Sequence, residues 1–274
     1  MKQKIIWFFA TLFPDFFVKK AYHFLVHPTQ FKIRPHEKNI LDKAQKSRKT
    51  FNHFEIQCYQ WGMGSKKILL VHGWEGHAGN FAALIERLIK EDYTVLSFDG
   101  PSHGASSHGK TSSFEFTDLV ASLIREYQPN ALVSHSFGSV ASLIALGKNP
   151  DVAIDHYIGI TVPNRLRERL EEIARYLGLP YKIVTKLIVQ LEATHDIKVD
   201  EINVEDYAPI SSVKKALLLH DTNDRVLPVK KSREVAHKWP EAQLIEVTGT
   251  GHYKILGAEK VLDKVMDFLI YYPK

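Results

Sequence analysis

The chain has 274 residues, 45% of them hydrophobic and 24% charged, which excludes a mainly disordered protein and allows one large α/β core with an insertion. A single cysteine, Cys58, excludes an intrachain disulfide, so the fold does not need oxidation and a cytoplasmic setting suffices. The net charge of +5 invites a nucleic-acid reading, but the excess crowds Lys32, Arg34, Lys38, Lys43, Lys46, Arg48 and Lys49 with no zinc-finger or RNP-type motif, so no nucleic-acid partner is expected.

In chain order, Lys2 and Lys4 precede "IIWFFATLF" (5–13), which has the charge and length of a signal-peptide core but is followed by Pro14 and Asp15 rather than a small-x-small cleavage site. It is too short to span a bilayer as a helix. With "FFVKKAYHFLV" (16–26) it has the makeup of helices packed on the protein's own core, of a peripheral element on a membrane surface, or of an atypical signal. The basic run 32–49 reads as a solvated face, or more sharply as a contact for anionic lipid.

From about Phe51 the pattern is regular. "FEIQCYQWG" (54–62) alternates as a strand, and "KKILLVHGW" (66–74), "YTVLSFDG" (93–100) and "ALVSHS" (131–136) are short apolar runs of strands buried on both faces. Amphipathic helices are predicted over 80–92 and 116–127, with another after Ser136. A strand over 155–163, then strands over 214–221 and 242–249 with a helix over 229–239, and a helix over 258–271 complete a mostly parallel sheet with helices on both faces. Residues 164–209 interrupt the alternation. Leu166, Leu170, Ile173, Ala174 and Leu177 share one helical face behind a predicted cap at Asn164, and Ile183, Val184, Leu187, Ile188 and Leu191 share another, which predicts a small helical cap set as a lid over the site. The expected division is an N-terminal helical and basic segment (1–50), a core (51–163), the cap (164–209) and the rest of the core (210–274).

Ligands of open parallel sheets bind beyond the carboxyl ends of the strands. Four predicted ends carry polar groups of one chemistry: "HGW" (72–74), Ser136 in "SHSFG", Asp224 in "HDTNDRVLP" and His252 in "TGTGHYK". A serine hydroxyl attacks well only when a base removes its proton and donors receive the oxyanion. The N–H of Trp74, after a glycine turn, and that of Phe137, opening a helix, are candidate donors. Ser134 competes with Ser136 for the nucleophile, and Asp221 with Asp224 for the carboxylate. Asp99, His72 and His103 read as hydrogen-bonding loop residues, His135 as a neighbour packed beside the elbow and His220 as a core histidine. His72, His77, His103 and His108 form no pair with metal-ligand spacing, so neither a metal nor an organic cofactor is expected.

"LLVHGWEGHAGNF" and "FDGPSHGAS", with the S-x-S-x-G elbow, the H-x-x-x-D turn and the terminal G-H, resemble in order and spacing the α/β-hydrolase superfamily, its bacterial serine esterase-like branch with a small cap. The resemblance covers the chain from about Phe51 and departs at Ser134, where the family usually has glycine. It implies an α/β-hydrolase fold, with Ser136 as nucleophile, Asp224 as acid, His252 as base, and Trp74 and Phe137 as oxyanion donors. The implied activity is hydrolysis of a small-molecule ester with an apolar acyl part. Thioester or carbon–carbon hydrolysis by the same triad, and a non-catalytic binder on the hydrolase fold, remain the alternatives.

Overall fold

A computed structural model of the chain describes residues 2–271. Helices α1 (Lys2–Leu12), α2 (Pro14–Val26) and α3 (Pro35–Asp42) precede strands β1 (Gln45–Phe51), β2 (Phe54–Trp61) and β3 (Lys66–Val71). Then follow α4 (Ala82–Lys90), β4 (Tyr93–Phe98), α5 (Ser113–Tyr127), β5 (Ala131–His135), α6 (Phe137–Lys148) and β6 (Ile154–Ile160). The chain continues through α7 (Leu166–Leu177), α8 (Tyr181–His195), α9 (Val204–Tyr207), β7 (Val213–Asp221), α10 (Lys230–Lys238), β8 (Ala242–Val247), α11 (Gly251–Lys254) and α12 (Glu259–Tyr271).

The strands form one sheet in the order β1-β2-β4-β3-β5-β6-β7-β8. β1 with β2 and β2 with β4 are antiparallel, and every later pairing is parallel. Ile68 to Val71 of β3 and Leu132 and Val133 of β5 have no exposed surface, because helices cover both faces of the sheet. The chain steps from β3 outward to β4, then returns to β5 on the other side of β3. That reversal opens a crevice at the carboxyl ends of β3 and β5.

Two regions depart from the sequence reading. The basic stretch before Phe51 is not only a solvated face. Pro35 starts α3, and residues 45–51 pair with 54–60 of β2, so the sheet begins at Gln45 and the boundary expected at residue 50 falls inside a strand. β1 lacks an apolar alternation because it is an exposed edge strand, where lysine and arginine discourage pairing with another chain. In the cap, Asn164 does not cap α7. It is buried, its Oδ1 accepts from the Glu205 N–H at 3.1 Å, and its Nδ2 donates to Glu205 and Glu234 at 2.9 and 3.0 Å, which pins the cap's stem. Leu187 and Ile188 form one cluster with Leu170, Val184 and Leu191, against which Tyr22 and Leu25 of α2 pack. The apolar face that looked like a lid's underside is thus covered by an N-terminal helix. Among the described residues, no helix is long and apolar enough to cross a membrane.

Candidate active site

Backbone strain marks the carboxyl edge before any side chain is considered. Beyond β3, β4, β5 and β6 in turn, Glu75, Ser102, Ser136 and Thr161 have φ of +62°, +64°, +51° and +53°. Such conformations cost on the order of 1–3 kcal/mol each for residues with a Cβ and concentrate at functional sites. At Ser136, φ +51° and ψ −122° make a sharp turn between β5 and α6, and its N–H donates to the Ile160 carbonyl at 2.9 Å. The turn is possible because α6 starts against the end of β3: a Cβ on Gly138 would lie 2.3 Å from the Val71 carbonyl oxygen. Ser136 itself is half-buried.

His252 reaches the same point from the loop after β8, at the start of α11. Its Nε2 lies 3.1 Å from the Ser136 Oγ and its Nδ1 2.7 Å from the Asp224 Oδ2. The other carboxylate oxygen of Asp224 accepts from the N–H groups of Val226 and Leu227 at 2.7 and 2.9 Å. Burial pushes the Asp224 carboxyl up, but the imidazoles of His220 and His252 and the Leu227 N–H outweigh it and hold the group far below the usual carboxylate range. An ionised Asp224 accepting from Nδ1–H fixes the tautomer that leaves Nε2 free to take a proton from Ser136.

The competing residues have other partners. The Ser134 hydroxyl is fully buried and lies 2.8 Å from the Ser142 hydroxyl, turned into α6 and away from His252. Asp221 accepts from the Asn223 N–H at 2.7 Å, the Thr250 hydroxyl at 2.7 Å, the Gly251 N–H at 2.8 Å and the Thr250 N–H. It fastens the loop that carries His252 rather than the imidazole. Burial raises the Asp221 carboxyl, and those donors bring it down to about 2. His135 goes further than its sequence reading. Its Nε2 donates to the His252 carbonyl at 3.0 Å, and burial, with His252 alongside, lowers it to about 3, so it is a neutral strut beside His252. Neither role had a sequence signal, because each lies in a hydrogen bond to backbone distant in the chain.

The "HGW" turn lies against the elbow. A Cβ on Gly73 would stand 3.2 Å from the His135 carbonyl oxygen and 3.3 Å from the Ser136 Cβ, so glycine eases a tight approach here. Trp74 follows, its ring edge-to-face with Phe137 at 5.6 Å and with His103 at 4.9 Å. Phe137 opens α6, where the first N–H groups have no intrahelical acceptor. His72 braces the turn: Nδ1 donates to the Gly73 carbonyl at 2.7 Å and Nε2 accepts from the Gly100 N–H at 2.9 Å. Burial lowers His72 and His103 to about 3, so both are neutral supports. The buried Asp99 accepts from the N–H groups of Ala78 and Ala105, each at 2.8 Å, and from the Tyr59 hydroxyl at 2.9 Å, tying the loops after β3 and β4 together. No cluster of three or more His, Cys, Asp or Glu among the described residues could hold a metal ion.

Residues 68–263, which include the sheet from β3 onward, the cap and all three residues of this hydrogen-bonded chain, match the model of the alpha/beta hydrolase family. The chain belongs to that family. It is 23% identical to a serine hydrolase-like protein of Danio rerio, over 78% of this chain and 85% of that protein. It is 24% identical to the pimeloyl-[acyl-carrier protein] methyl ester esterase of Xanthomonas campestris, over 75% of this chain and 96% of that one. Among solved structures, a putative lipase of Acinetobacter baumannii superposes with a TM-score of 0.66 at 17% identity, covering 89% of this chain and 98% of the lipase. At that identity the likeness speaks for the fold alone. Family and fold relatives include esterases, a thioesterase and a lactone-degrading enzyme.

Proposed function

We propose that the chain is a serine hydrolase that cleaves a carboxylic ester with an apolar acyl part through an acyl-enzyme on Ser136. The observation that carries this reading is the hydrogen-bonded line Asp224–His252–Ser136, at 2.7 and 3.1 Å, ending on a serine whose backbone is strained.

In the first step the Ser136 Oγ attacks the ester carbonyl carbon as its proton passes to His252 Nε2, and Asp224 stabilises the imidazolium. The carbonyl oxygen becomes an oxyanion received by the N–H groups of Trp74 and Phe137; losing one such donor costs about 10²–10³ in rate. Collapse breaks the bond to the alkoxy oxygen, which takes the proton from His252 and leaves as alcohol. Water then gives a proton to His252 and attacks the acyl carbon, Ser136 regains its proton, and the acid departs. The half-buried rings of Trp74 and Phe137 beside Ser136 support an apolar acyl group.

Aryl esters of increasing chain length test this reading. The expected result is a burst of phenol matching the enzyme concentration, followed by slower turnover, and its absence in Ser136→Ala. A well-folded protein that hydrolyses none of these esters, or hydrolyses them equally after Ser136→Ala, would overturn it. The same panel with thioester linkages separates an ester enzyme from one that prefers thioesters.

A further inference from the structure

In the N-terminal hairpin, α2 packs on the cap through Tyr22 and Leu25, whereas α1 leaves large aromatic side chains exposed. α1 and α2 meet the cap through Ala10, Val18 and Ile183, which are buried together with Phe17 and Leu179 at their margin. Gln3 adds a hydrogen bond to the Tyr176 carbonyl at 2.8 Å. Almost every other apolar side chain of α1 faces out: Ile5, Trp7, Phe8, Phe9 and Leu12 are about half exposed, and Phe16 at the start of α2 is 64% exposed. A run of exposed aromatics on this scale marks an interaction surface. Between the two helices lies a groove of about 430 Å³ lined entirely by apolar residues, among them Ile6, Phe13 and Phe17.

Charge identifies what covers this face. Residues 1–34 hold six lysines and arginines and one aspartate, a net charge of +5, and the basic run from Lys32 to Lys49 continues that excess. The aspartate, Asp15, is paired with Lys186 of the cap at 2.5 Å. Lys4, Lys19 and Lys20 of the hairpin are exposed, as is Lys32 beyond it, and the Lys20 ammonium lies 5.7 Å from the Phe24 ring, an amphipathic stem beside an exposed aromatic. A second copy of the chain would bring the same positive rim against this one. An anionic surface with an apolar interior complements both features.

We propose that the α1–α2 hairpin is an interfacial anchor that lies in the plane of an anionic lipid surface. Its aromatic side chains enter the acyl region and its lysines remain among the headgroups. The helices have 11 and 13 residues, too short to cross a bilayer, so they lie on it. The anchor also sets which side of the protein faces the lipid. Beyond α2, the Thr29 N–H donates to the Glu75 carboxylate at 3.0 Å and Gln30 donates to the Ser102 carbonyl, both on the loops after β3 and β4, while the Val26 carbonyl accepts from the Thr111 N–H at 2.9 Å. The end of the hairpin is therefore tied to the carboxyl edge of the sheet, the edge that bears Ser136, which would bring that edge near the lipid. This goes beyond the hydrolase reading, and the binding itself does not depend on Ser136 being a nucleophile.

The test is flotation of the full chain with phosphatidylcholine vesicles, with and without phosphatidylglycerol, at low and high salt. Binding is expected to be strongest with phosphatidylglycerol at low salt and unchanged in Ser136→Ala. Replacing both Trp7 and Phe8 by Ser, or both Lys19 and Lys20 by Glu, is expected to weaken that binding about ten-fold or more. These side chains are exposed, so both double variants are expected to keep the far-UV circular dichroism of the parent and its hydrolysis of a soluble short ester. Brominated lipid is expected to quench part of the tryptophan emission in the parent but not in Trp7→Phe. Failure of the parent to float with either vesicle, or equal flotation of both double variants, would overturn the proposal. So would a concentration-dependent dimer that the same substitutions dissociate.

Discussion

At the carboxyl edge of the sheet, His252 is held at both ring nitrogens and at its own carbonyl, by Asp224, Ser136 and His135. The loop before it is fastened by Asp221. In the N-terminal hairpin, α1 rests on Ala10 and a hydrogen bond from Gln3, and most of its large side chains point outward. The first region is specified atom by atom, because each buried polar group there needs a partner in a particular place. The second is specified by composition: apolar bulk and lysine on the outer side of α1, with α2 packed on the cap through Val18, Tyr22 and Leu25.

Substitutions at the edge sharpen that contrast most. Ser136→Ala is expected to lower kcat for a short ester by about 10⁶ in folded protein, as for loss of a serine nucleophile elsewhere. Ser134→Ala, at a hydroxyl turned toward Ser142, is expected to retain most of kcat. Asp224→Asn is expected to cost about 10⁴ in kcat with little change in KM. Asp221→Asn is expected to act mainly on stability, by about 1–3 kcal/mol, read as a shift of the denaturant midpoint. Similar kcat losses for the two aspartates would break the division of labour between them.

Acid provides a second probe of the edge. His72, His103 and His135 are buried and lowered to about 3, against an ordinary value of 6.5. The unfolded chain therefore takes up protons at a higher pH than the folded one, so stability is full above about 6.5 and falls as the pH drops below it. Each histidine is expected to remove on the order of 2 kcal/mol by pH 5, measured by urea melts at pH 7 and pH 5. At the hairpin, Phe8→Ser is expected to change global stability by less than about 0.5 kcal/mol, since the ring lies on the surface and outside the buried seam. Val18→Asp, which places a charge in the buried seam, is expected to release the hairpin, seen as faster amide exchange across residues 2–26 with the sheet still protected.

Sequence patterns predict the parallel strands and most helices well, because strands buried on both faces are short apolar runs and helices repeat every three to four residues. The elbow, the "HGW" turn and the order of serine, aspartate and histidine are legible for a different reason: glycine and polar residues at strand ends interrupt those runs. β1 escapes notice because an edge strand in solvent has no apolar alternation. The partner of α8 escapes because Leu187 and Ile188 have the same periodicity whether they face a substrate or α2. The struts formed by His135 and Asp221 are invisible in sequence, since they depend on hydrogen bonds to residues more than twenty-five positions away.

Covalent capture of the serine brings the site to a single number. The parent protein, reacted with a fluorophosphonate, digested and read by mass spectrometry, is expected to carry one adduct, on the peptide containing Ser136, and fragmentation is expected to place it on Ser136 rather than Ser134. The labelling rate is expected to fall by several orders of magnitude in Asp224→Asn and to persist in Asp221→Asn. An adduct on Ser134, or no adduct on protein whose circular dichroism and melting are intact, would contradict the assignment of Ser136, His252 and Asp224 as one catalytic unit.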